Sequence, residues 1–295
     1  MASQLDFLDD AADFLDATRG HLAAEPVLST VIATMAERAV REQQDAVDQP
    51  GDFPRWWLVV RDRGEVIGTG MRTAPFEPRP PYLLAMPEEA AVALARALHE
   101  RGEELGGVNG ALPTVRLVAE EYARLAGRTV RVAEETRLFE LGDLVEPELP
   151  EGQLRMATVG DLDLALAWYR SFGREAAEQA GHEDDHAMFE DEAGMLRRIE
   201  EGRIWFWVDD RGERVHLTGH NLPSFGVARI GPVFTPKKHR GHGYASAAVA
   251  EISRMLRDAG SRVTLFTDQA NPTSNAIYQR LGYRAVADQA NLAIE

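Results

Sequence analysis

The chain runs to 295 residues, 44% of them hydrophobic, which is enough apolar content for two ordinary domains with cores of their own. It has no cysteine, so a disulfide framework, a cysteine nucleophile and a thiolate-bound metal are excluded. A formal net charge of −16 argues against general affinity for DNA or RNA, and no apolar run is long enough to span a bilayer. The stretch from Met1 to Asp16 is acidic and amphipathic rather than basic and apolar, unlike a secretory signal. The expectation is a cytoplasmic protein, monomer or homodimer.

From Asp6 to about Gln44, Phe7, Phe14, Leu15, Leu22, Val31, Met35 and Val40 recur at helical spacing, with Pro26 dividing two helices. Trp56–Val60 and Val66–Thr69 bracket Asp62-Arg63-Gly64-Glu65 and read as a hairpin. After a proline-rich connection over 75–81, the pattern predicts a short strand over Tyr82–Met86. A helix over Pro87–Arg101 follows, with proline at its start, then one over Val115–Leu125 stopped by Gly127 and strand from Thr129 to Leu141. The segment Gly142–Gly152 has the composition of a linker and divides the chain into domains 1–145 and 151–295.

The order then repeats. Asp161 to about Ala180 is helical, Ile204–Val208 is a strand, and Asp210-Arg211-Gly212-Glu213 reproduces the four residues of the first hairpin turn. Pro113-Thr114 heads one late helix and Pro272-Thr273 another. Parallel element order with these local identities suggests two copies of one fold.

The second copy contains the informative stretch. Ile230–Phe234 reads as a strand stopped by Pro236. Lys237-Lys238-His239-Arg240-Gly241-His242-Gly243 follows, and then Ala245, Ala248, Val249, Ile252 and Leu256 at helical spacing. Glycines let the backbone approach an anion, and the first-turn N–H groups of a helix carry partial positive charge. This is a phosphate cradle. It lacks the Gly-Lys-Ser/Thr of a nucleotide-hydrolysing loop and one glycine of the dinucleotide fingerprint.

Arg240-x-x-Gly243-x-Ala245 after a strand resembles the acetyl-CoA signature of the GCN5-related N-acetyltransferases (GNATs). Downstream, the strand Val263–Thr267, the stretch from Asn271 to Tyr278 and Gly282-Tyr283 match that family's next strand, helix and turn, in order. The close resemblance covers roughly the last quarter of the chain. It implies two GNAT-like α/β domains in tandem, each a mixed, mainly antiparallel sheet flanked by helices. Only the second carries the cofactor motif. The first copy has Met86-Pro87-Glu88-Glu89 at the matching place, where two carboxylates would repel a pyrophosphate.

The resemblance further implies acetyl-CoA as co-substrate, a primary-amine acceptor attacking it directly, and no metal. Main-chain atoms of Val233, Phe234 and Thr235 would take the pantetheine, and Pro232 has no N–H to offer. The amides of Gly241, His242, Gly243, Tyr244 and Ala245 would take the pyrophosphate, supported by the Arg240 side chain. Asn271, Asn275 and Tyr278 share a helix face. Tyr278 matches the family's general acid beside the thioester sulfur, a phenol that stays neutral at pH 7. A core role for Tyr278 is the alternative. Asn271 suits an N-cap as well as a cofactor contact, and Asn275 is a further cofactor candidate.

The general base is not legible. The strand Val227–Gly231 carries no carboxylate, which leaves His220, Asp268 and the acidic residues Glu183, Asp184, Asp185, Glu190, Asp191 and Glu192. An alternative function is a non-catalytic acyl-CoA sensor. A remote one is a zinc hydrolase built on His182-Glu183-Asp184-Asp185-His186, which lacks a third ligand at a definite spacing and reads as coincidence. The aromatic runs Trp56-Trp57 and Trp205-Phe206-Trp207 read as sheet packing.

Overall fold

In the computed structural model, which describes residues 3–44, 54–75, 77–180 and 191–295, one succession of elements is run through twice. The first pass is β1 (Gln4–Leu8), α1 (Ala11–Ala24), α2 (Thr30–Gln44), β2 (Trp56–Asp62), β3 (Glu65–Arg72), β4 (Tyr82–Leu83), α3 (Glu88–Glu100), β5 (Gly107–Ala111), α4 (Thr114–Ala126) and β6 (Val130–Leu141). The second is β7 (Gln153–Met156), α5 (Leu162–Ala180), α6 (Glu192–Glu200), β8 (Ile204–Val208), β9 (Arg214–His220), β10 (Val227–Phe234), α7 (Tyr244–Asp258), β11 (Arg262–Asp268), α8 (Pro272–Arg280) and β12 (Tyr283–Ile294). The fold is thus two α/β domains in tandem, each a mainly antiparallel sheet with helices against it.

Local chemistry explains most boundaries. The Asp10 carboxylate accepts from the amides of Ala12 and Asp13 and starts α1. Gly127, in the left-handed region, ends α4. Asn271 caps α8 through the Ser274 amide, with Pro272 in the first turn. The residues expected to open the first helix form β1 instead, antiparallel to β2 with Phe7 opposite Leu58. The strand expected over 82–86 is shorter, covering only Tyr82–Leu83.

The chain separates into two compact units, residues 1–136 with 287–295, and residues 137–286. The division falls inside β6 and β12 rather than in the irregular segment 142–152, because the last strands are exchanged. In the first unit the order is β1-β2-β3-β4-β5, with β4 and β5 parallel, and β5 is then paired by β12, Asn109 opposite Asn291. In the second it is β7-β8-β9-β10-β11, with β10 and β11 parallel, and the strand beside β11 is β6. Each unit is therefore closed by the strand that ends the other pass.

The first unit's core gathers Leu58, Leu94, Leu98, Val108, Val118 and Leu292. In the second unit one sheet face packs Ile230, Val249, Ile252, Leu265 and Tyr278 with α7 and α8. The other packs Phe206 and Leu217 against Leu166 and Tyr169 of α5 and Met195 of α6. A strand that alternates sides can feed both layers, and β8 and β9 do so.

Candidate active site

β10 and β11 pair in parallel from Val227 opposite Arg262 to Ile230 opposite Leu265. Beyond Ile230, β10 shifts register against β9, so that Val233 faces Thr218 and Phe234 faces Leu217, while its pairing with β11 ends. The two parallel strands part there. Main-chain groups of the last residues of β10 are left without a strand on that side, as an extended ligand with amide groups requires.

Past Pro236, a single 3-10 turn over Lys237–His239 leads to Gly241 and Gly243, with φ of 82° and 81°. Gly243 is the N-cap of α7 and offers no side chain to cap it. Among the described residues, none of the amides from Gly243 to Ser246 donates a hydrogen bond. A Cβ added to Gly243 would meet no atom within 4 Å, so these amides open onto free space. Unsatisfied first-turn amides at the positive end of a fifteen-residue helix favour an anion.

The charges of the basic run are mostly spent on nearby carboxylates. Arg240 donates from Nε to the Thr235 carbonyl at 2.9 Å and from Nη2 to Glu175 Oε2 at 2.7 Å. Lys237 reaches Glu178 at 2.8 Å and Lys238 reaches Glu213 at 2.9 Å. Both pairings hold the glutamate's carboxyl below its ordinary range, through the lysine's hydrogen bond first and its charge second. Arg240 thus braces the turn.

A cavity of about 330 Å³ joins these parts. Val233, Phe234, Thr235, Arg240, Gly241, His242, Gly243, Tyr244, Ala245, Asn271 and Tyr278 all line it. Asn275 does not; its Nδ2 donates to the carbonyls of Asp268, Gln269 and Asn271, and it secures the loop before α8. Asn271 is the helix cap and also faces the cavity. Tyr278 is 6% exposed, stands edge-on to Tyr283 with ring centroids 6.1 Å apart, and makes no hydrogen bond from its hydroxyl among the described residues. Burial pushes its phenol above the ordinary tyrosine range.

A family model described as FR47-like protein matches residues 212–292. An acetyltransferase from the GNAT family of Colwellia psychrerythraea superposes with a TM-score of 0.57 at 12% identity, over 99% of both chains. A GCN5-related N-acetyltransferase from Sphaerobacter thermophilus gives 0.59 at 18%, over 99% of this chain and 95% of its own. A tandem GNAT protein from the clavulanic acid biosynthesis pathway gives 0.56 at 16%, over 99% and 98%. The fold is that of a tandem GNAT. No curated protein matches the chain in sequence.

The two passes differ where the cavity lies. In the first, the Met86 amide donates to Thr114 Oγ1 at 3.1 Å, tying the end of β4 to the start of α4. A Cβ on Gly68 would stand 2.5 Å from that of Met86, so the Met86 side chain closes the gap tightly. Glu88 and Glu89 occupy the first turn of α3. In the GNAT-like second pass the corresponding space is the cavity.

Sequence reasoning missed Phe172 and Glu175 of α5, which reach the cavity from a distant part of the chain. It also missed Thr273, Ile277 and Arg280, whose i, i+4, i+7 spacing on α8 was a usable signal. Arg280 makes no ion pair among the described residues.

The described base candidates lie outside the cavity lining. His220 is 7% exposed and outside the cavity lining, and burial lowers its imidazole pKa. Asp268 accepts from the Ala270 amide at 2.7 Å, and Asp191 caps α6. Glu192 lies in the first turn of α6, also outside the lining. Glu183, Asp184, Asp185, Glu190 and the His182–His186 pattern lie outside the described residues. Among the described residues no group of three or more potential metal ligands occurs, and no helix is long and apolar enough to cross a membrane.

Proposed function

We propose that this protein is an N-acetyltransferase that moves an acetyl group from acetyl-CoA to the primary amine of a small-molecule acceptor, and that it works in the cytoplasm without a metal. Domain 151–295 holds the cofactor and the chemistry, and domain 1–145 is a degenerate copy that serves as scaffold or lid. The observation that carries this reading is the cavity itself. Uncapped amides at the start of α7, the unpaired end of β10 and Tyr278 all line one space.

Acetyl-CoA, when bound, supplies the thioester that the amine attacks. The amides of Gly241 to Ala245 hold its pyrophosphate, and main-chain atoms of Val233, Phe234 and Thr235 align its pantetheine arm. The Thr235 carbonyl accepts from Arg240, which fixes its direction, and the Thr235 N–H is the donor that residue can offer the arm. Tyr278 carries a proton at its hydroxyl oxygen for the departing sulfur. Its raised pKa keeps that proton in place well above neutrality.

A non-catalytic acyl-CoA sensor is the second reading. It draws support from Glu175, the one carboxylate among the described cavity-lining residues, which is engaged by Arg240 rather than free to act as a base. Calorimetric titration with acetyl-CoA, followed by an amine panel read out by released CoA, separates the two. Binding with turnover supports the enzyme. Binding without turnover on any amine supports the sensor, and no binding defeats both.

A further inference from the structure

Two polar side chains, His216 and Thr218, are fully buried in the sheet of the second unit. His216 lies opposite Trp207 of β8, and Trp207 packs on Ala247 and Ala248, so His216 belongs to the face under the first turns of α7. Its Nε2 is 2.5 Å from Thr218 Oγ1, and its Nδ1 is 2.7 Å from Thr235 Oγ1. Burial lowers the imidazole pKa to about 3, so the ring is neutral. A neutral imidazole has one donor and one acceptor, so whichever tautomer forms, one threonine hydroxyl accepts and the other donates.

This ladder ends where the backbone needs it. The registered pairing of β10 with β9 finishes at Phe234 opposite Leu217, and β11 has already parted from β10. Thr235 is therefore tied to β9 through the His216 side chain rather than by strand pairing. Its own carbonyl then accepts from Arg240, whose other arm is on Glu175. The contacts run unbroken from the core to the turn that presents the amides.

We propose that His216 is a positioning residue for the cofactor, setting Thr235 and, through the Thr235 carbonyl and Arg240, the turn that opens into the cavity. This rests on the cofactor reading above. A buried, fully satisfied polar network fixes one arrangement, because breaking any member strands its neighbours.

The test is acetyl-CoA titration of the full chain carrying His216→Phe, and separately Thr218→Val and Thr218→Ser, with thermal midpoints recorded in parallel. His216→Phe raises the Kd and the KM for acetyl-CoA about tenfold, with kcat within about twofold and the acceptor KM unchanged. Thr218→Val gives a smaller rise in the same direction, and Thr218→Ser, which keeps the hydroxyl, restores the wild-type Kd. If His216→Phe does not fold, the Thr218 pair decides alone. A fall in thermal midpoint with the acetyl-CoA Kd unmoved overturns the proposal and leaves the cofactor reading standing. A wild-type protein that ignores acetyl-CoA overturns both.

Discussion

Arg240 and Glu175 meet at 2.7 Å across the cavity wall, and the same guanidinium holds the Thr235 carbonyl. A planar fork with separate donors can serve both partners at once, whereas an ammonium is a point charge that cannot reproduce that geometry. Arg240→Lys is therefore expected to weaken acetyl-CoA binding about as much as Arg240→Ala, roughly tenfold in each case. Calorimetry on the two variants checks this. Near-wild-type binding by the lysine variant would mean that Arg240 acts by charge.

Gly243→Ala probes the cradle directly. The residue's φ of 81° costs an alanine about 1 kcal/mol, and the added methyl meets nothing in the free protein. The loss of stability should be modest, while acetyl-CoA affinity falls by well over tenfold because the methyl enters the space meant for the anion. Comparing denaturant midpoints with binding constants tests the disproportion.

Tyr278→Phe should leave the acetyl-CoA Kd unchanged and lower turnover about a hundredfold. A general acid must be protonated to act, and burial raises the Tyr278 pKa, so loss of its proton moves to higher pH. The wild-type pH–rate profile should then show no descending limb up to about pH 10. A limb below that pH that vanishes in the phenylalanine variant would show a Tyr278 that titrates normally.

Asp161 makes the prediction about acid stability. Burial alone would raise its pKa, but the Thr158 amide and hydroxyl, with Arg155 and Arg214, outweigh that and hold it at about 2. A folded-state pKa below the unfolded value means stability that is complete above about pH 4 and is lost as pH falls toward 2, worth roughly 2 kcal/mol. Asp161→Asn should remove that dependence and lower stability at neutral pH. Because Asp161 anchors the turn before α5, which carries Phe172 and Glu175, unfolding titrations at pH 7 and pH 3 report on one wall of the cavity.

Legibility followed the range of the interactions involved. Helices α3, α4, α7 and α8 were readable because periodicity, proline at the start and glycine at the end all act within a few residues. The strand β5, Gly-Val-Asn-Gly-Ala, was not, since nothing local favours it; it exists because β4 and β12 flank it. β12 went unread for the same reason, with Asp288, Gln289 and Asn291 interrupting any apolar alternation. At the site, main-chain positions could be read from the glycine turn. The pairing of Arg240 with Glu175 joins residues far apart in the chain, and no spacing rule reaches that far.

The exchange of β6 and β12 bears on whether the half with the cavity could ever live alone. A polypeptide beginning at Glu151 would lack both β6 and β5, so the flank of β11 stays bare unless its own β12 folds back onto it, and bare flanks of sheets recruit other chains. Such a fragment should precipitate, or pair with a second copy of itself, when expressed by itself. The trade of final strands thus ties the sheet of each half to a segment of the other pass.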